Sequence, residues 1–289
     1  MCELDQFNSA GGGLNRRQFT AVGALAAFAA ACAPMESATA QGSLTENMVS
    51  FAAPGGTMDA FFVHPGEGKH PAVIVWPDIA GLRDSFKVMA RRLASAGYSV
   101  LVVNPYYRDL PAPQFQDFED FRANGGFQKV GPWREKMNAD GVTETARAVV
   151  GWLDQQPAVD TTKGIGNQGY CMGGPYTIWT AAAVPSRVKA GASFHGGGLT
   201  GEDPKAPVHL FDDVADDARF LIAIAQNDDA RSPADKDTLR AAAAAAGVPV
   251  EIEVYAGDHG WTVPDSPVYS EAAAERAWGR LLALYSAAL

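Results

Sequence analysis

The sequence predicts the α/β class, with a mostly parallel central sheet and helices on both of its faces. Strand-like and helix-like segments alternate along the chain from Val49 onward. A helix that joins two strands brings them parallel in one sheet and then covers a face of that sheet. Two strand-like segments, at 72–76 and 99–103, are apolar without alternation, which is typical of strands buried on both faces.

Composition and spacing place the individual elements. Strands are predicted at 58–65, 71–79, 99–107, 163–171, 188–196, 219–229 and 250–260, and helices at 85–98, 139–157, 175–184, 233–247 and 269–289. In the first of these helices, Phe86, Met89, Ala90 and Leu93 recur at helical spacing, and Gly97 is a typical helix stop. The segment at 109–138 has no clear period, so it is predicted to be a lid-like excursion over the sheet edge.

Composition and charge favour one globular domain, at 41–289, that acts on a small molecule. The 289 residues carry a formal net charge of −10, and no cluster of Lys and Arg offsets it locally. An acidic surface repels phosphate backbones, which argues against nucleic acid as a partner. No segment within 41–289 reads as a linker between domains. We expect a monomer with a small-molecule substrate.

Residues 1–40 have the layout of an export signal. Arg16 and Arg17 precede an Ala-rich apolar run, and 38–40 match a small-residue cleavage site. Paired arginines favour the twin-arginine export machinery, so the mature protein is predicted to be periplasmic or secreted. Cys32, which follows three alanines, weakly resembles a lipoprotein processing site. We rank lipidation at Cys32 below cleavage after Ala40.

Cleavage after Ala40 would leave Cys171 as the only cysteine of the chain. Cys171 lies between Gly169 and Gly173, with a predicted strand before it and a predicted helix after it. A sharp strand-to-helix turn of this kind raises a nucleophile above the sheet edge, and a helix start favours a thiolate. The backbone N–H of Met172 could donate to an oxyanion there. The alternative interpretation is a small buried cysteine in a glycine-rich turn.

A nucleophile on such a turn needs an acid and a histidine, which follow it in chain order. His259 follows the last predicted strand and is the candidate base. Asp228 and Asp229 follow the strand before it. We favour Asp228 as the acid, because it comes first after the apolar run, and Asp229 stays an alternative. His195 follows another strand and borders three glycines at 196–198, so we expect it to line the site.

A further carboxylate, Asp78, follows the buried strand at 72–76 and should lie at the same edge of the sheet. It could exchange a proton with the thiol, or it could cap the next helix. The neighbouring N–H of Ile79 is a candidate second oxyanion donor. An aromatic pocket could be formed by Trp76, Tyr106, Tyr107, Trp133 and Trp261. No metal-ligand spacing such as CxxC or HxxEH occurs, so no metal or other cofactor is predicted.

Four sequence features resemble the dienelactone hydrolases, also called carboxymethylenebutenolidases, of the α/β-hydrolase superfamily. They are "GYCMGG" at 169–174, "PDIAG" at 77–81, "GDHGW" at 257–261 and the Asp228 region. The resemblance covers about 48–289. It implies the α/β-hydrolase fold and a Cys171–Asp228–His259 triad that cleaves lactones or esters through an acyl-enzyme.

The same resemblance implies roles for residues around the triad. The carboxylate in the "PDI" loop would deprotonate the cysteine when substrate binds, although the family usually has Glu where this chain has Asp78. Of the family's two substrate arginines, one is replaced here by Val263, and Arg108 corresponds loosely to the other. Apart from the resemblance, Trp261 is a candidate substrate contact as a member of the aromatic set named above. The triad therefore carries over better than the dienelactone substrate does.

Two functions of other classes stay open on the sequence alone. The first is a thiol-based redox or peroxide-reducing protein that uses Cys171, although the mature chain holds no second cysteine to resolve an oxidised one. The second is a binding protein without catalysis on a hydrolase scaffold, because a fold does not fix a function.

Overall fold

A computed structural model of the protein describes residues 43–289. The predictions of an export signal at 1–40 and of lipidation at Cys32 lie outside the described residues. One sheet of eight strands organises the described part, in the spatial order β1-β2-β4-β3-β5-β6-β7-β8. The strands are β1 (Leu44–Ala53), β2 (Gly56–Pro65), β3 (Ala72–Trp76), β4 (Ser99–Val103), β5 (Ile165–Tyr170), β6 (Val188–Phe194), β7 (Arg219–Ala225) and β8 (Val250–Tyr255).

Helices cover both faces of this sheet, as predicted. They are α1 (Asp84–Ser95), α2 (Phe118–Ala123), α3 (Gly126–Lys129), α4 (Gly131–Arg134), α5 (Ala139–Leu153), α6 (Tyr176–Ala183), α7 (Gln226–Arg231), α8 (Asp235–Ala245) and α9 (Glu271–Ala288). Ile74 and Trp76 of β3 pack toward α5, α6 and α8, while Val73 and Val75 pack toward α1 and α9. This two-sided burial explains the unbroken apolar run. Within 43–289, no helix is long and apolar enough to cross a membrane.

The parallel register brings the carboxyl ends of six strands to one edge. Strands β3 to β8 pair with parallel neighbours, whereas β1 and β2 are antiparallel. Across the sheet, Tyr170 at the end of β5 pairs with Phe194 of β6, and Ala225 at the end of β7 pairs with Tyr255 of β8. The residues that follow these ends therefore meet at one rim, where ligand sites of α/β sheets lie.

Most predicted strands extend a few residues past their observed ends, and two elements differ further from the sequence-based expectation. β1 was not predicted, because most of its side chains are exposed and it shows no buried face of its own. It is an edge strand that pairs with β2 along its whole length. β7 ends at Ala225, and the next residues form the short helix α7 instead of extending the strand to 229. A helix of six residues is too short to show a clear period.

The segment at 109–138 is an excursion, as predicted, but it contains structure that its sequence does not reveal. It forms the short helices α2, α3 and α4, of four to six residues each. Phe115, Phe121 and Val130 pack there with Ala80 and Tyr106 into a small separate core. The end of the excursion lies over the rim at which the strands end, and it supplies part of the cavity described below.

Candidate active site

The turn after β5 holds its central side chain in a strained backbone conformation. Cys171 has φ +50° and opens a single helical turn, Cys171–Gly173, that leads into α6. A residue with a Cβ rarely adopts a positive φ, which costs about 1–3 kcal/mol and is found mostly at functional sites. The thiol is only half-buried, so the strain coincides with an accessible nucleophilic atom.

Glycines allow this turn to pack backbone against backbone. A Cβ added at Gly169 would lie 1.9 Å from the carbonyl oxygen of Gly173. A Cβ added at Gly174 would lie 2.4 Å from the Cα of Gly196, which follows β6. Real Cβ contacts do not come this close, so neither position accepts a side chain without movement of the main chain.

We expect Gly169→Ala to destabilise the fold by about 3 kcal/mol, because the methyl group would collide with main chain that cannot rotate away. Urea unfolding followed by circular dichroism measures this difference. Gly151→Ala in α5 is the matched control, since nothing lies within 4 Å of its added Cβ. A helix interior gains about 0.5–1 kcal/mol from that change. Equal midpoints for the two variants would contradict this account of the turn.

His259, in the loop after β8, is held by groups from α7. Its Nδ1 donates to Oδ2 of Asp228 at 2.6 Å, and its backbone N–H donates to Oδ1 of Asn227 at 2.9 Å. Asp229, the alternative acid, instead accepts from Nζ of Lys236 at 2.6 Å. Of the two candidate acids, Asp228 is therefore the one in contact with the histidine.

The surroundings of His259 favour its protonated form. Partial burial alone would lower the pKa of the imidazole, but the hydrogen bond to Asp228 and the neighbouring Cys171 outweigh burial and raise that pKa to about 10. His259 therefore carries a positive charge at neutral pH. A cation beside a thiol stabilises the thiolate, which is the nucleophilic form of cysteine.

His195 lies beneath His259 instead of lining the cavity. It is fully buried, with φ +41°, and its Nε2 lies 2.9 Å from Oγ1 of Thr262. The two imidazole rings meet edge to face with centroids 5.0 Å apart. Burial, followed by the charge of His259, lowers the pKa of His195 well below its ordinary value, so its ring is neutral. The arrangement makes His195 a packing partner of His259.

Asp78 is buried beside the turn, and its carboxylate is fully engaged. Its two oxygens accept from the guanidinium of Arg83 at 2.7 and 2.9 Å, and Oδ1 also accepts from the N–H of Ala80 at 2.9 Å. The contact with Ala80 stabilises a local turn, whereas α1 itself begins without a side-chain cap, so Asp78 is not the cap of the next helix. In this structure Asp78 is the partner of a guanidinium and of a backbone N–H, and not of the thiol.

A cavity of about 740 Å³ opens at the rim above Cys171. Cys171, His259, Met172 and Ile79 form its floor. The remaining walls come from the excursion, α6 and the glycine loop, through Gly131, Arg134, Glu135, Met137, Asn138, Pro175, Tyr176, Trp179, Gly197 and Gly198. A ligand in this cavity would therefore lie directly over the half-buried thiol and next to the two backbone N–H groups considered as oxyanion donors.

The sequence profile of the Dienelactone hydrolase family matches residues 58–289, most of the chain. The chain belongs to this family. Membership places it among hydrolases of ester or lactone bonds, and it confirms the predicted fold class and family.

Individual relatives agree with the family match. The chain is 29% identical over 266 residues to a Salmonella typhi protein named "Putative carboxymethylenebutenolidase", covering 88% of this chain and 93% of that protein. It is 30% identical over 139 residues to the carboxymethylenebutenolidase of Pseudomonas sp. strain P51, covering 48% of this chain and 56% of that protein. A Klebsiella pneumoniae crystal structure titled "Putative Dienelactone Hydrolase" has the same fold, with a TM-score of 0.69 and 24% identity, over 84% of this chain and 99% of the other.

Two residues that the sequence assigned to substrate lie away from the cavity in this dienelactone hydrolase family member. Arg108 donates through Nε to the carbonyl of Pro54 at 3.0 Å and through a terminal nitrogen to Oγ1 of Thr145 at 3.1 Å. It therefore ties the β1–β2 turn to α5. Trp261 is fully buried and stacks on Tyr255 with centroids 4.7 Å apart. Neither lines the cavity, because each side chain points into the packing between elements and not toward the rim.

The predicted aromatic pocket is also placed differently. Trp76, Tyr106 and Tyr107 are buried in the core. The aromatic wall of the cavity consists of Tyr176 and Trp179 of α6, whose rings stack with centroids 5.6 Å apart. Tyr176 and Trp179 lie five and eight residues after Cys171, on the helix that follows it. This spacing is the sequence signal that could have placed them at the cavity. Arg134 was missed because it belongs to a helix of four residues inside the excursion. Among residues 43–289, no cluster of metal-ligating side chains occurs.

Proposed function

We propose that this hydrolase cleaves its ester or lactone bond with Cys171 as nucleophile, His259 as acid and base, and Asp228 as the orienting acid. The observation that carries the proposal is the 2.6 Å hydrogen bond between Asp228 and His259, beside a cysteine on a strained turn at the floor of a cavity. This kind of catalytic unit consists of a nucleophile, a base within reach of it and a third group that orients the base.

Acylation begins from the ion pair of the Cys171 thiolate and the His259 imidazolium. The sulfur attacks the carbonyl carbon of the substrate, forming a C–S bond and placing negative charge on the carbonyl oxygen. Met172 and Ile79 both line the cavity, and their backbone N–H groups would stabilise that oxyanion. The C–O bond to the leaving group then breaks, and the departing alkoxide takes the proton from Nε2 of His259.

Deacylation reverses these roles. Neutral His259 takes a proton from a water molecule, whose oxygen attacks the thioester carbon. The C–S bond breaks, the acid product leaves, and the thiolate–imidazolium pair is restored. Asp228 holds the Nδ1–H tautomer throughout, so Nε2 faces the reacting atoms. In lactone substrates the leaving group and the acyl group belong to one molecule, which stays attached until water arrives.

The substrate need not be the dienelactone of the named relatives. Val263, which stands where the resemblance expects a substrate arginine, is buried and does not line the cavity. Besides the His259 imidazolium, the cationic group that lines it is Arg134, from the excursion. A cavity of about 740 Å³ is within the usual range for small-molecule sites, and Tyr176 and Trp179 supply it with apolar surface. We therefore propose a small ester or lactone with an apolar part beside Trp179.

The test is hydrolysis of p-nitrophenyl acetate and a panel of lactones by the full chain, with and without iodoacetamide. Turnover that is lost on alkylation supports the proposal. Consumption of hydrogen peroxide and a thiol reductant without ester turnover would favour the thiol redox function instead. Absence of both reactions would contradict the proposal and favour a binding protein.

The raised pKa of His259 predicts how alkylation of Cys171 depends on pH. His259 carries its positive charge up to about pH 10 and loses it above that, and a cation beside a thiol favours the nucleophilic thiolate. Iodoacetamide should therefore react faster from pH 6 to 8 with the wild type than with His259→Ala, which lacks the cation. The difference should disappear above about pH 10, where the imidazole is neutral. Superimposable profiles for the two proteins would show that the ion pair does not form.

A further inference from the structure

One buried guanidinium joins three segments that surround the cavity. Arg83, which immediately precedes α1, is 1% exposed. It binds Asp78 as described above, and on its other side it donates to both oxygens of Asp265, from Nε at 2.6 Å and from Nη2 at 2.8 Å. Two carboxylates from distant parts of the chain thus share one cation, each through two hydrogen bonds.

Each carboxylate belongs to a segment that contributes to the site. Asp78 directly precedes Ile79, which lies on the cavity floor. Asp265 lies six residues after His259 in the same loop region, and its Oδ2 also accepts from the N–H of Phe118 at 3.0 Å. Phe118 is the first residue of α2, so the third segment is the excursion. Arg83 therefore links the loop after β3, the loop after β8 and the excursion.

The charges of this cluster are mutually dependent. Burial alone would lower the pKa of Arg83, but Asp78 and Asp265 together raise it, so the guanidinium stays protonated. Burial alone would raise the pKa of Asp265, but Arg83 outweighs burial and lowers it. Without the cation, two partly desolvated carboxylates would face each other unpaired. Lysine cannot replace it, because an ammonium lacks the planar set of donors that two bidentate contacts require.

We infer that Arg83 is a positioning residue of the hydrolase, which fixes the Ile79 and His259 loops relative to each other and keeps Asp78 from the Cys171 thiol. The inference rests on the proposed function. With both oxygens of Asp78 held by Arg83, His259 is the group that can take the proton of Cys171 without movement of that carboxylate. This chain would then differ from the thiol activation that its family resemblance implies.

The test compares Arg83→Met and Arg83→Lys with a matched control. Arg92→Met, on α1, removes an arginine that binds Glu275 through two hydrogen bonds of 2.6 Å on the surface. Both Arg83 variants should lower kcat for p-nitrophenyl acetate by about 10- to 100-fold with a smaller change in KM, because the catalytic groups lose their mutual geometry. The control should stay within about twofold, as expected for an exposed pair.

The second readout is alkylation of Cys171 in the absence of substrate. The loop that carries Asp78 packs against the Cys171 turn at Gly173, so an Asp78 carboxylate that has lost its cation would add an unpaired negative charge near the turn. That charge should slow the reaction of Arg83→Met with iodoacetamide at pH 7. A variant that only loosened the fold would expose the thiol and react faster. Folded Arg83→Met with wild-type kcat, or with unchanged or faster alkylation, would overturn the inference.

Asp265→Asn keeps the inference testable if Arg83→Met does not fold. It leaves the Arg83–Asp78 pair intact and weakens the link to the His259 loop and the excursion. It should lower kcat while leaving alkylation at pH 7 unchanged, and wild-type kcat in this variant would overturn the positioning role. Failure of the wild-type protein to hydrolyse any ester would contradict the proposed function itself, whereas the alkylation comparison would still decide whether Arg83 controls Asp78.

Discussion

Replacing Cys171 with alanine is expected to lower kcat for ester hydrolysis by about 10³-fold or more, with little change in KM. The variant keeps the cavity and the backbone donors but loses the atom that forms the acyl-enzyme. Alanine should also fit the turn, because it is smaller than cysteine and the glycines that close the turn are untouched. Steady-state kinetics with p-nitrophenyl esters, together with mass spectrometry of the quenched reaction, measure both consequences.

The mass spectrum makes this prediction specific. Wild-type protein quenched during turnover should carry one acyl group on Cys171, and the alanine variant should carry none. Cys171→Ser is the conservative comparison: its hydroxyl is not ionised by a neighbouring imidazolium, so its activity should also fall far below that of the wild type. Undiminished turnover in the alanine variant would exclude Cys171 as the nucleophile.

Asp228→Asn is expected to lower kcat by about 10²- to 10⁴-fold, the second largest effect. The amide removes the negative charge that stabilises the imidazolium, and it can present an N–H to Nδ1 and so favour the wrong tautomer. Because the carboxylate is one of the causes of the raised pKa of His259, that pKa should fall in the variant. Alkylation of Cys171 at pH 6 to 8 should then slow toward the rate of His259→Ala.

Asp229→Asn is the matched control, since Asp229 is the next residue on α7 and binds Lys236. Its kcat and its alkylation profile should stay within about twofold of wild type, as for other partly exposed ion pairs. The reverse pattern, with loss of activity only in Asp229→Asn, would mean that α7 turns its other face to the histidine during turnover. Loss in both variants would point to damage to α7 as a whole.

The residues of the cavity floor could be predicted, because the sequence patterns that indicate them lie within a few residues of each one. Gly169 and Gly173 on either side of Cys171 require a tight turn, and a turn between a strand and a helix has few solutions. The parallel sheet then determines which strand ends are neighbours, so that His259 and Asp228 could be assigned to the same rim from chain order alone. The fold follows from the same alternation of strands and helices.

The residues of the cavity walls could not be predicted, because spacing along the sequence does not show in which direction each side chain points. Arg108 and Arg134 are both arginines near the predicted excursion, but only Arg134 reaches the cavity. The choice between Asp228 and Asp229 depends on α7, in which consecutive side chains point about 100° apart. The sequence also shows Arg83 five residues after Asp78 without showing that Asp265, far along the chain, completes the cluster.

The contact between Gly174 and Gly196 has a consequence for how this scaffold can change. The turn that carries Cys171 packs main chain against main chain from the end of β6, so its position does not depend on the rotamers of neighbouring side chains. On the proposed function, substitutions at Arg134 or Trp179 can therefore alter which molecules are accepted without moving the sulfur. Selectivity and reactivity would then reside in separate parts of the protein, and new substrates could be acquired by substitutions in the cavity walls alone.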